Sequence, residues 1–126
     1  MSNAQKIIMI IEDEPDANEL FAEMMRINGY RVIKTFTSTP AFTLIAQEKP
    51  DLIILDIMLP DISGIEVLHY MRADPELAPI PVVVVSARAT PADIRAGLDA
   101  GASIYLTKPV GYTDLKNAVD SLLQGV

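Results

Sequence analysis

The chain has 126 residues, half of them hydrophobic and 21% charged, which is typical of one globular domain with a substantial core and excludes a disordered segment. Its net charge of −7 argues against general binding to nucleic acid or to an anionic membrane, and favours a cation or a basic partner. The absence of cysteine excludes disulfides and thiol chemistry and fits a reducing cytoplasm, and no apolar run approaches transmembrane length. Residues 1–4 carry no recognisable pattern.

Apolar runs and helical patterns alternate five times along the chain. Continuous apolar runs, rich in β-branched residues, predict strands at residues 6–11, 30–36, 52–56, 82–85 and 103–106. Residues 30–36 are more polar than the other runs, so this strand is expected at an edge of the sheet. Apolar residues at helical spacing, bounded by capping residues, Gly and Pro, predict helices at about 13–28, 39–49, 64–73, 90–100 and 112–123.

The helical spacing also predicts the side chains on the inner faces. In the first helix these are Ala17, Leu20, Phe21, Met24 and Ile27. In the second, third and fifth helices the predicted inner residues are Ala41, Leu44, Ile45, Ile65, Leu68, Met71, Leu115, Val119 and Leu122. His69, alone of its type and in the middle of a helix, is interpreted as an exposed residue and not as a ligand.

Strands that alternate with helices predict an α/β fold: a doubly wound, five-stranded parallel sheet covered on both sides. We expect one domain over residues 1–126, with an ordered core at about 6–124. Ligands of such sheets bind beyond the carboxyl ends of the strands, where the strand order reverses. If the first strand is central, its end and that of the third strand are neighbours, which places Glu12, Asp13 and Asp56 in one crevice.

This crevice has the groups that phosphoryl transfer needs. Three neighbouring carboxylates repel each other unless a cation is bound, and oxygen ligands without His or Cys indicate Mg²⁺. Lys108 follows the last strand and suits a phosphoryl oxygen, while Ser86 ends the fourth strand with a hydroxyl donor. Asp56 stands apart from the Glu12–Asp13 pair, so it is the natural nucleophile, and its attack on phosphorus would give an acyl phosphate.

Four segments together resemble the receiver domain of two-component response regulators over nearly the whole chain. They are residues 10–15 (IIEDEP), 56–64 (DIMLPDISG), 85–87 (VSA) and 101–109 (GASIYLTKP). The resemblance implies a flavodoxin-like strand order, 2-1-3-4-5. It also implies a signalling receiver that catalyses only its own phosphorylation and dephosphorylation, in the cytoplasm.

The resemblance further assigns roles to the residues of the crevice. Asp56 would accept phosphate from a sensor histidine kinase or a histidine phosphotransfer protein. Asp13 and Asp56 would bind Mg²⁺ directly, together with the backbone carbonyl of Met58, and Glu12 would act through water. Lys108 would pair with the phosphoryl group, with a cis bond to the proline that follows it.

The resemblance also implies an output. Ser86 would be drawn toward the phosphoryl group, and Tyr105 would turn inward as a switch that alters the face of helix four, strand five and helix five. The partner would be a downstream protein or an output domain, since none follows the fifth helix in this sequence. Phosphorylation-dependent homodimers are known in the family, but Ala118 and Asp120 stand where dimerising winged-helix relatives often carry Arg, which makes that dimer doubtful here.

Three other kinds of protein share parts of this pattern. A pseudo-receiver, which binds partners without phosphate, usually lacks an acid, the lysine or the hydroxyl, and this chain has them all. A phosphohydrolase of the haloacid dehalogenase type needs a second Asp two residues after its nucleophile, where this chain has Met58. A flavodoxin needs phosphate contacts rich in hydroxyl groups and Gly after the first strand, where this chain has the acids of residues 13–16.

Overall fold

All ten predicted elements are present in the computed structural model, which describes residues 5–124. Residues 1–4, whose sequence carries no pattern, lie outside the described residues, as do residues 125 and 126. The strands are β1 (Ile7–Ile11), β2 (Arg31–Thr35), β3 (Leu52–Leu55), β4 (Val82–Ser86) and β5 (Ile104–Thr107). The helices are α1 (Pro15–Ile27), α2 (Ser38–Glu48), α3 (Gly64–Ala73), α4 (Pro91–Ala100) and α5 (Tyr112–Leu123).

The five strands form one parallel sheet in the order β2-β1-β3-β4-β5, as expected. The more polar β2 is an edge strand, also as expected. The register between β1 and β3 pairs Ile10 with Ile54 and Ile11 with Leu55. Because the two strands end level with each other, the acids that follow them are placed side by side.

Alternation along the strands divides the core into two layers. Side chains such as Met9 and Ile53 point to the side covered by α2, α3 and α4, whereas Ile8 and Ile54 point to the side covered by α1 and α5. The residues of β3 and β4 are all buried. A sheet covered on both faces explains why these runs are apolar without alternation.

The predicted inner face of α1 is wrong at two positions. Leu20 is 53% exposed and Ile27 is 73% exposed. The buried face runs instead through Asn18, Phe21, Ala22, Met24 and Met25. Because a helix of this composition offers two overlapping apolar stripes, the polar Asn18 concealed the one that faces the sheet.

The remaining differences are small. The observed bounds of β2 and β5 differ from the prediction by one residue at each end, which is the ordinary uncertainty of element ends. The Thr90–Asp93 capping box of α4 is confirmed, and His69 is exposed, as expected. No helix within residues 5–124 is long and apolar enough to span a bilayer.

Candidate functional site

Three carboxylates meet at the carboxyl ends of β1 and β3. One ligand oxygen from each of Glu12, Asp13 and Asp56 lies within 4.8 Å of the other two. Glu12 and Asp56 are buried, with 1% and 6% of their surface exposed, whereas Asp13 is exposed. A donor set of carboxylate oxygens, open to solvent on one side, fits a hard cation such as Mg²⁺ that keeps part of its water shell.

Lys108 lies between the two buried acids. Its Nζ is 2.6 Å from Glu12 Oε1 and 2.9 Å from Asp56 Oδ2. Its backbone N–H donates to the carbonyl of Ser86 at 2.9 Å, which places the residue just beyond the edge strand β5. The bond from Lys108 to Pro109 is cis, as the resemblance implied. The ammonium thus compensates charge that the fold has removed from water.

Burial and ion pairing have opposite effects on the pKa values of Glu12 and Lys108. Burial raises the pKa of Glu12, and its hydrogen bond to the Lys108 ammonium only partly offsets this. Burial by itself would lower the pKa of Lys108, but the hydrogen bonds and charges of Glu12 and Asp56 outweigh that effect and raise it. The lysine is therefore held in its charged form beside Asp56.

The loop between β3 and α3, residues 57–63, is tied to Asp56. Met58 N–H donates to Asp56 Oδ1 at 2.9 Å, and Gly64 N–H donates to the carbonyl of Ile57 at 2.9 Å. A Cβ on Gly64 would lie 2.5 Å from the backbone oxygen of Asp56. The start of α3 therefore packs directly against the backbone of the central acid, at a distance that only glycine allows.

Sequence reasoning missed two polar residues that support this region. Asn18, fully buried, donates from Nδ2 to the carbonyls of Glu12 and Thr35, both at 2.9 Å, and so joins the ends of β1 and β2. Asp61 accepts hydrogen bonds from Ser38 and Thr39 at the start of α2. A polar residue within the inner stripe of α1 could have indicated Asn18. The partners of Asp61 are more than twenty residues away, and no local pattern indicates them.

Ser86 and Tyr105 stand on neighbouring strands behind the acids. Ser86 is fully buried at the end of β4, and its Oγ accepts from the N–H of Arg88 at 3.2 Å. The phenol of Tyr105 donates to the carbonyl of Arg88 at 2.8 Å, and partial burial raises its pKa. Their hydrogen bonds thus reach the loop after β4, while those of Lys108 and Met58 reach Asp56 itself.

A groove of about 590 Å³ runs from the acids to Tyr105, between the β3–α3 loop and α4. The residues that line it include Asp13, Met58, Ile65, Arg88, Ala96 and Tyr105. Asp13 and Tyr105 therefore border the same groove.

Comparison with known proteins identifies the family. The profile described as response regulator receiver domain matches residues 8–120. This chain belongs to that family.

Curated relatives and solved structures agree with this assignment. The polar-differentiation response regulators DivK of Brucella anthropi and Brucella ovis are each 35% identical over 118 residues, covering 94% of this chain and 96% of theirs. A crystal structure of a response regulator from Chloroflexus aurantiacus superposes with a TM-score of 0.92 at 27% identity, covering 96% of this chain and 99% of that one.

A third relative bears on the metal. The receiver domain of a sensor histidine kinase from Pseudomonas aeruginosa is 26% identical, with a TM-score of 0.89 and coverage of 96% and 99%, and its structure has a magnesium ion coordinated in the active-site cleft. Receiver domains are signalling modules of two-component systems, not conventional enzymes, and they interact with histidine kinases and downstream targets. Receiver domains bind Mg²⁺ at an acidic site, and this chain has an acidic cluster of Glu12, Asp13 and Asp56.

Proposed function

We propose that this receiver domain accepts a phosphoryl group on Asp56 from a phosphohistidine of a sensor kinase or phosphotransfer protein, in a Mg²⁺-dependent reaction. One observation carries the proposal. The buried carboxylate of Asp56 has one oxygen held by the Met58 amide and the other by the Lys108 ammonium, and two further acids lie within 4.8 Å.

The resemblance to the family implies a particular division of roles at the metal. Asp13 and Asp56 would bind Mg²⁺ directly, together with the carbonyl of Met58. Both oxygens of Glu12 are already engaged, Oε1 with Lys108 and Oε2 with the N–H of Glu14 at 3.1 Å. Both oxygens of Asp56 are engaged as well, with the Met58 amide and the Lys108 ammonium. These bonds do not separate the two acids, and the role of Glu12 through water rests on the resemblance to the family.

The protein contributes to this reaction mainly by positioning the reacting groups. An oxygen of Asp56 forms a bond to phosphorus as the phosphorus–nitrogen bond of phosphohistidine breaks, and the electron pair returns to the imidazole. Lys108, held in its charged form, is placed to pair with a phosphoryl oxygen. The cation, when bound, neutralises negative charge on the phosphoryl oxygens.

The phosphoryl group would then alter the face made by α4, β5 and α5. We propose that Ser86 moves toward the phosphoryl group and that Tyr105 turns inward from its present bond to the Arg88 carbonyl. The added charge thereby biases an element with two arrangements, as in other phosphorylation switches.

An apolar surface beside the acids suits the approach of the phosphodonor. Leu20, more than half exposed, lies with Ala17, Pro109 and Val110 around a depression that also includes Lys108. A donor protein that places its phosphohistidine against Asp56 would cover this surface, in the cytoplasm where such donors act. A homodimer through the output face has less support, because Asp120 accepts hydrogen bonds from Tyr30 and Lys116 of its own chain.

The test is phosphorylation by a small phosphodonor such as acetyl phosphate, followed by intact-mass measurement. We expect the wild type to gain one phosphoryl group with Mg²⁺ and none with EDTA. Asp56→Asn should gain none under either condition, and Asp51→Asn is a control for carboxylate loss elsewhere. A wild type that gains no phosphoryl group would favour the alternative, a pseudo-receiver that binds its partners without phosphate.

A further inference from the structure

The start of α2 is capped by a residue from a distant loop. Its N-cap residue, Thr37, makes no side-chain capping bond. Asp61 supplies the missing acceptors: Oδ1 accepts from Ser38 N–H at 2.9 Å, and Oδ2 accepts from Thr39 N–H at 2.8 Å and from Thr39 Oγ1 at 2.7 Å. A carboxylate at this end also interacts favourably with the helix dipole.

A further hydrogen bond joins α2 to the residue after Asp61. The hydroxyl of Ser38, a fully buried residue, donates to the carbonyl of Ile62 at 2.5 Å. The hydrogen bond from the backbone N–H of Ser38 lowers the pKa of Asp61 more than any other influence, so the carboxylate stays ionised as a cap. Hydrogen bonds to the side chain of residue 61 and to the backbone of residue 62 therefore hold this part of the loop against the start of α2.

These two residues belong to the loop that follows Asp56. The loop is anchored at its beginning by the bond from Met58 N–H to Asp56, and at its end by the bond from Gly64 N–H to Ile57. Met58 itself is 48% exposed, so burial of its side chain does little to hold it, whereas its neighbours Ile57 and Leu59 pack against the core. The contact with α2 is a further restraint, at the end of the loop that leads into α3.

We propose that Asp61 is a positioning residue for the metal-binding loop. By capping α2 from across the chain, it fixes the path of residues 57–63 and with it the direction of the Met58 carbonyl. This inference rests on the proposed function, in which that carbonyl binds Mg²⁺.

The first test is the Mg²⁺ affinity of Asp61→Ala, measured by calorimetry on the unphosphorylated protein. Mutating a group that bonds directly to a metal-ligating residue commonly lowers metal affinity by about 10–100-fold. Asp61 is one contact further from the metal than such a group. We therefore expect its loss to lower Mg²⁺ affinity roughly threefold or more. Asp61→Asn keeps one acceptor oxygen and should lose less.

Thr90→Ala is the matched control, because it also removes a helix cap, in α4, without touching the loop. It should lower the unfolding midpoint comparably and leave Mg²⁺ affinity unchanged. Equal Mg²⁺ affinity in Asp61→Ala and Thr90→Ala would overturn the proposal.

Hydrogen exchange without Mg²⁺ provides an independent measurement. We expect the Met58 amide to exchange faster in Asp61→Ala than in the wild type or in Thr90→Ala, because its bond to Asp56 depends on the path of the loop. Unchanged exchange would also overturn the positioning role. If the wild type binds no Mg²⁺, the proposed function fails, whereas the exchange measurement still decides what Asp61 does.

Discussion

The fold holds two regions of this domain with different firmness. One is the group of acids at the ends of β1 and β3, and the other is the face made by α4 and β5. β1 and β3 are paired on both sides, and Glu12 and Asp56 are buried at their ends. In contrast, α4 buries only two small residues, Gly97 and Ala100, and β5 is an edge strand whose residues are half-buried or exposed.

The two ends of α4 differ as well. Its C-terminal end is tied to α3, because Arg72 donates to the carbonyl of Gly101 from Nε at 3.0 Å and from Nη2 at 2.8 Å. Its N-terminal end, near the acids, is closed by its own capping box. Segments with few buried apolar contacts open at lower free energy than the core. The site proposed to receive the phosphoryl group is thus held by buried, doubly paired strands, whereas the face proposed to transmit the change has few buried apolar contacts.

The largest effect is expected from Lys108→Met, which removes the cation from the buried site. Leaving a buried charge without its partner costs about 3 kcal/mol, so the free energy of unfolding should fall by about that amount near neutral pH in EDTA. Adding Mg²⁺ should restore part of the loss, because a cation again compensates the acids. Urea unfolding with EDTA and with Mg²⁺ measures both.

The pH dependence of this variant has a definite sign. Burial already raises the pKa of Glu12, and loss of the ammonium raises it further. The folded state then favours protonated Glu12, so the loss of stability should shrink as the pH falls below neutral. Lys49→Met is the control: its pair with Glu76 is exposed and should have little effect at any pH. A similar loss in both variants would contradict a special role for the buried site.

A smaller effect is expected from Gly97→Ala, which tests the face made by α4 and β5. A Cβ at this position would lie 2.7 Å from two carbons of the Tyr105 ring, so the ring must move. Overpacking costs about 1–3 kcal/mol, and the higher helix propensity of Ala offsets about 1 kcal/mol of that. NMR should show altered Tyr105 resonances while the Mg²⁺ affinity of the acids is unchanged.

The matched control for Gly97→Ala is Gly111→Ala, because nothing lies within 4 Å of a Cβ at that position. It should leave the Tyr105 resonances as they are. Unaltered Tyr105 resonances in Gly97→Ala would show that α4 can absorb the added methyl group without moving the ring.

The smallest effect concerns Tyr30, which ties the loop before β2 to α5. Burial, and then its hydrogen bond to Asp120, raise the pKa of Tyr30 to about 12. An unfolded tyrosine ionises near about pH 10, so this contribution is complete below that pH and is lost as the pH rises toward 12. The free energy of unfolding should therefore decline less steeply above about pH 10 in Tyr30→Phe than in the wild type. Equal slopes would contradict the raised pKa.

The sequence predicted the fold because its strands are unusually explicit. Uninterrupted apolar runs such as those of β1 and β3 can be buried only in a covered sheet, and each ends in acid. Strand order could not be derived from periodicity and came from the resemblance. The meeting of Glu12, Asp13 and Asp56 followed from that order, whereas their roles stay predictions.

Long-range polar contacts were beyond sequence reasoning. Nothing near Asp61 indicates that it caps a helix that begins more than twenty residues earlier. The ion pair between Lys108 and Glu12 spans 96 residues, and the sequence suggested only that Lys108 would face a phosphoryl group. The buried position of Asn18 was missed because polar residues are usually placed on the outer face of a helix.

Gly64 has a consequence for the backbone around Asp56. It has no side chain, yet any larger residue would intrude on the backbone at Asp56. A Cβ at this position would also lie 2.8 Å from the Cα of Ile57, so either the start of α3 or the backbone after β3 would have to move. The geometry around the central acid thus depends on a missing side chain as well as on the charged ones.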